Sequence, residues 1–118
     1  MRLLLATITA ALPFLSFAGP PEVLDVKASK SGDTWRFDVT LNHTDSGWDH
    51  YADGWGVYLE DGTELGYRVL LHPHVNEMPF TRSLAGVTIP NDVQKVVIKP
   101  RDSVHGVGAD FSVDLPKP

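Results

Sequence analysis

Strict alternation is what most constrains this chain. Trp35, Phe37, Val39 and Leu41 are apolar, and Arg36, Asp38 and Thr40 between them are polar. Successive side chains of an extended strand point to opposite faces, so this run offers one face to a core and one to water. The pattern recurs at Trp55, Val57 and Leu59 against Gly56, Tyr58 and Glu60. It recurs again at Ala109, Phe111, Val113 and Leu115 against Asp110, Ser112 and Asp114. Weaker runs cover Glu22–Ala28, Glu64–Leu71, Pro79–Thr88 and Val93–Lys99. Ser31-Gly32-Asp33, Asp61-Gly62 and Pro90-Asn91-Asp92 separate neighbouring runs with residues suited to turns. No helical period is convincing beyond the first residues. Short strands broken at regular intervals predict an all-β fold, an immunoglobulin- or fibronectin-like antiparallel β-sandwich of about seven strands.

The first residues read differently. Arg2 precedes Leu3–Phe17, which is apolar apart from Thr7, Thr9 and Ser16, and Ser16-Phe17-Ala18 has the small residues that signal peptidase reads. Residues 1–18 are therefore expected to be a cleaved signal peptide, and 19–118 a single domain, periplasmic or secreted. The apolar run falls short of the roughly 20 residues of a membrane span, and no later segment approaches that length. No cysteine follows the expected cleavage point, which argues against a lipid anchor at that position.

Removing the leader leaves about 100 residues, enough for one core without covalent staples. The 118-residue chain has no cysteine, so thiol chemistry and thiolate metal sites are excluded from it. Its formal charge is −5, and losing Arg2 with the leader makes it one unit more negative. A mildly acidic domain with scattered charges is a poor nucleic-acid binder, because phosphate recognition needs a basic face.

The five histidines are His43, His50, His72, His74 and His105. If each strand runs antiparallel to the next, connections alternate between the two ends of the sandwich. The loops His43–Asp53, His72–Met78 and Pro100–Val107 then share one end, and they hold every histidine. The same end gathers Asp45, Asp49, Asp53, Glu77, Met78, Trp48 and Tyr51. In His72-Pro73-His74, the proline favours an extended His72, and residues two apart then point the same way. Two imidazoles with Glu77 close behind suit a transition metal, copper or zinc, and Met78 tilts the choice toward copper. The expected ligand set is His72, His74, His105, His50 and Glu77. His43 is expected to be a bystander, continuing its strand on the polar face.

A blander reading stands beside this one. A lone His-x-His is a weak signal, and loop histidines are often only solvated or serve to stiffen a loop. A non-metal ligand or a protein partner is the third possibility, through Trp48, Tyr51 and Arg82. Trp48 is more often a residue that closes the end of a sandwich than a stacking platform. Arg82 shares parity with Phe80 and Leu84, so it either turns inward to pair with a carboxylate such as Glu77 or is turned outward by a β-bulge. No nucleophile elbow or phosphate loop is present, and the expectation is a monomeric binding protein without catalytic activity.

Three stretches together resemble small exported proteobacterial proteins of uncharacterised function: Gly47-Trp-Asp-His-Tyr-Ala-Asp-Gly-Trp55, Leu71-His-Pro-His-Val-Asn-Glu-Met-Pro-Phe-Thr-Arg-Ser83 and Asp102-Ser-Val-His-Gly106. The resemblance implies a periplasmic sandwich protein and no particular activity. More loosely, the chain resembles immunoglobulin-like iron superoxide reductases. Those use several histidines and a cysteine ligand, and without a cysteine here their chemistry does not carry over.

Overall fold

The structure, a computed structural model, describes residues 19–117, so the expected leader lies outside the described residues. Within them run β1 (Glu22–Ser31), β2 (Thr34–Asn42), β3 (Ala52–Tyr58), β4 (Glu64–Val69), β5 (Phe80–Val87), β6 (Lys95–Asp102), β7 (Gly106–Val107) and β8 (Phe111–Asp114). All pairings are antiparallel. One sheet has the order β1-β2-β5. The other has the order β4-β3-β6-β7, with β8 also on β6. The all-β sandwich expected from the alternation is the fold.

Two details differ from the expectation. The last expected strand is β8, but a short extra strand, β7, forms inside the expected Pro100–Val107 loop and pairs with the end of β6, while β8 pairs with its beginning. Gly108 lies in the gap, where a Cβ would meet the carbonyl oxygen of Pro21 at 2.6 Å, so the chain passes close against its own N-terminal segment there. The fourth strand forms a hairpin with β3 and stays on that sheet, whereas immunoglobulin constant domains place it beside the fifth.

The core is built from inward rows. Trp35, Phe37, Val39 and Leu41 of β2 are buried, facing Trp55 and Val57 of β3 and Val96 and Ile98 of β6. Each such side chain contributes about 1.5–3 kcal/mol by leaving water. On the outer face of β3, Gly54 and Gly56 lie beneath the rings of Tyr67 and Tyr58, which occupy the space a Cβ would need.

Candidate functional site

Two inward rows, one from each sheet, run on past the apolar core and end in polar residues. On β2 the row of Phe37, Val39 and Leu41 continues through His43 to Asp45, and both are buried. On β6 the row of Val96, Ile98 and Pro100 ends at Asp102, whose side chain has 0% exposure. This corrects the reading of His43 as a polar-face bystander. Position 43 has the parity of Leu41, so alternation directs it inward.

Asp102 is the focus of the cluster. Its Oδ2 lies 3.0 Å from His43 Nε2, 2.7 Å from His50 Nε2 and 2.8 Å from His105 Nδ1. Its Oδ1 accepts the backbone N–H of Val104 at 3.0 Å and that of His105. Burial by itself would raise the Asp102 pKa. The hydrogen bonds from the His105 and His50 rings, the His105 backbone and the His43 ring outweigh it and hold the carboxyl well below the usual carboxylate range.

His43 is held from both sides. Its Nδ1 meets Asp45 Oδ1 and its Nε2 meets Asp102. Asp45 is an acceptor toward its other neighbours, taking the N–H of Ala52 on Oδ1 at 3.0 Å and that of His74 on Oδ2 at 2.8 Å. If the His43 proton sits on Nδ1, facing Asp45, the Nε2 lone pair faces the Asp102 carboxylate. That contact is repulsive unless a second proton or a metal cation lies between them. One ligand atom each from His43, His50 and Asp102 lie within 4.8 Å of one another.

Loop geometry brings His50 in. Ser46 N–H donates to His50 O and His50 N–H to Gly47 O, closing a turn in which Gly47 has φ 131°, a value that favours glycine. Tyr51 N–H donates to Ser103 Oγ, and Ser103 N–H to Tyr51 O, tying this loop to the one after β6. The His50 ring lies 4.8 Å from that of His43 and 5.0 Å from that of His105, centre to centre.

His72 and His74 form a second pair at the same end, with ring centres 4.5 Å apart. His74 is buried and stacks on Phe80 at 4.0 Å. Arg82 Nη2 donates to His74 Nε2 at 2.9 Å, which leaves the ring proton on Nδ1, buried and without a partner among the described residues. Burial, then the positive charge of Arg82 and the neighbouring His72, push the His74 pKa down. The His72 ring is exposed, with Nδ1 3.1 Å from the carbonyl oxygen of Pro73.

All five histidines thus gather at one end, as loop parity implies. They form two groups joined through Asp45. His50 and His105 of the expected ligands share Asp102, while His72 and His74 sit across Asp45 from it. Glu77 is exposed and makes no ion pair or side-chain hydrogen bond among the described residues. Arg82 takes neither expected course. Its partner is an imidazole, and the irregularity in β5 lies beyond it, where Leu84 and Val87 face Phe37 and Trp35. Met78 packs against the core. Trp48 does not close the sandwich: it is 68% exposed, edge-on to Tyr51 at 5.5 Å. Asp49 is exposed, and Asp53 pairs with Arg101.

No family model matches the chain. A relative named "Putative lipoprotein" from the archaeon Halomicrobium mukohataei is 42% identical over 92 residues, covering 77% of this chain and 45% of the relative. The chain therefore spans less than half of that protein. A hypothetical protein from Pyrococcus horikoshii OT3, known from its crystal structure, has a similar fold. Its TM-score is 0.56 at 14% identity, over 84% of this chain and 89% of that one.

Proposed function

We propose that this is an exported binding protein that holds one transition-metal ion, zinc or copper, at the histidine–carboxylate end of its sandwich. The ligands are His43 Nε2, His50 Nε2 and Asp102 Oδ2. Asp45 orients the His43 ring from behind, and His105 and the Val104–His105 backbone hold Asp102, as supporting groups do around metal ligands. The observation that carries the reading is that buried His43 has a carboxylate at each ring nitrogen. A divalent cation between His43 and Asp102 would supply the missing positive charge. The relative's name supports export, in keeping with the leader expected at residues 1–18. With the partly buried Met78 packed against the core, copper loses its thioether, and zinc with imidazole and carboxylate ligands is the better match.

The ligand spacing fits with a small adjustment. Bonds of 2.0–2.1 Å in a tetrahedral shell place ligand atoms about 3.3–3.4 Å apart. The ring nitrogens of His50 and His43 lie 2.7 and 3.0 Å from Asp102 Oδ2, so these two edges must open by about 0.3–0.7 Å. Native mass spectrometry of the exported protein, purified without added metal, should show one ion per chain. Calorimetric titration with zinc and copper should be weakened by His50→Ala and largely unchanged in the His72→Ala/His74→Ala double variant. The reverse pattern would move the ion to the His72–His74 pair. Absence of binding in the wild type would leave His43 as a structural bridge between Asp45 and Asp102.

The exposure of Trp48 beside Tyr51 favours a second reading, a docking or ligand-binding surface that needs no metal. Loss of binding to a pulled-down partner or ligand in Trp48→Ala, with metal content unchanged, would support it.

A further inference from the structure

We infer that the metal at this centre keeps one exchangeable coordination position, open to a water molecule or a small anion that enters past His50. This rests on the metal reading above. Closed structural zinc sites have four protein ligands, whereas sites that bind exogenous ligands have three. Here three donor atoms, one each from His43, His50 and Asp102, lie within 4.8 Å of one another.

Three other polar groups nearby have roles of their own. His105 donates its Nδ1–H to Asp102 Oδ2 and its backbone N–H to Oδ1, so it holds the ligand carboxylate in place. Asp45 lies on the far side of the His43 ring, taking Nδ1. His74 has its Nε2 lone pair occupied by Arg82.

Access is one-sided. The side chains of His43 and Asp102 have 0% exposure, while those of His50 and His105 have 14% and 37%. Solvent therefore reaches the centre at the rim where these two rings lie 5.0 Å apart. Rings that close pass nothing bulky without displacing the exposed His105, so the incoming ligand is limited to a few atoms.

The test loads the exported chain with cobalt(II), titrates it with azide and follows the visible absorption. A saturable spectral shift at constant metal content is expected. His105→Ala should keep that shift and lower metal affinity by about 10–100-fold, the usual effect of losing a group that supports a ligand. A wild-type spectrum that azide leaves unchanged, together with a much larger loss of affinity in His105→Ala, would make His105 the fourth ligand and the site closed. That result overturns the exchangeable position and leaves the metal reading standing. Failure of the wild type to bind cobalt or zinc overturns both.

Discussion

Asp102→Ala tests whether one carboxylate ties two loops together, the one between β2 and β3 and the one after β6. The substitution removes the acceptor of five contacts: two backbone N–H groups and three imidazoles. His50 and His105 are partly exposed and can turn to water, whereas His43 and the two backbone donors are left without their acceptor. An orphaned buried donor costs about 1–3 kcal/mol, and breaking a buried charged network costs about 3–5 kcal/mol. The sum is not additive, so the expected loss in metal-free protein is about 3–5 kcal/mol. For a domain of this size that lowers Tm by about 12 °C or more. Asp102→Asn should cost less, about 1–2 kcal/mol, because its carbonyl can still serve the backbone pair and its amide can face two ring nitrogens. Urea unfolding in chelator, followed by tryptophan fluorescence and compared at constant m-value, measures both. A loss below about 1 kcal/mol in Asp102→Ala would refute the reasoning, since the cluster would then be held by packing alone.

Acid should weaken the fold in two stages. The depressed His74 pKa gives stability that is complete above about pH 6.5 and declines as pH falls toward the folded-state value. The depressed Asp102 pKa gives stability that is complete above about pH 3.9 and is lost as pH falls through its folded-state value. Urea melts across pH should show both, and His74→Phe should flatten the upper stage; an unchanged upper slope would assign it to another histidine. Gly54→Ala should cost about 1–3 kcal/mol, because the Tyr67 hydroxyl fills the space, and most of that cost should vanish in a Tyr67→Ala background. Equal costs in both backgrounds would mean the tyrosine is not the obstacle. Trp48→Ala should leave stability within about 0.5 kcal/mol, whereas Phe37→Ala in the core should cost about 3–5 kcal/mol, both read by thermal melts. A large loss in Trp48→Ala would show that the indole packs in solution.

Much of the fold was legible because period-two alternation encodes which face a strand buries. Antiparallel order then places all five histidines at one end. The central residues were harder to read. His43 follows Leu41 by two, so parity alone directs it inward; the surrounding Asn42 and Thr44 disguise it as part of a polar loop. Asp102 was hidden by Pro100, which looks like the end of a strand. β6 nevertheless runs through the proline to Asp102. Pro100 sits opposite the break between β7 and β8, where a missing N–H costs no rung of a continuous ladder. That tolerance depends on the neighbouring strand being interrupted, which no local pattern around Pro100 reveals. The His-x-His motif was the most visible feature, yet the pairing of His74 with Arg82 depends on a contact between β5 and the loop before it.

The position of these residues also explains why the site can be rigid although loops supply most of its members. His43 and Asp102 are extensions of the inward rows of β2 and β6, anchored on opposite sheets by the same apolar side chains that hold the sandwich together. Their separation is therefore set by sheet packing. The loop residues His50 and His105 are added to that fixed pair, each held by a hydrogen bond to Asp102 and by the mutual backbone ties of Tyr51 and Ser103. A site placed on rigid elements keeps its geometry to within the tolerance that a coordination shell demands. The two groups fixed by the sheets are the buried ones, and the two contributed by loops are those that reach solvent, so any adjustment needed to admit an ion or an incoming ligand falls on His50 and His105.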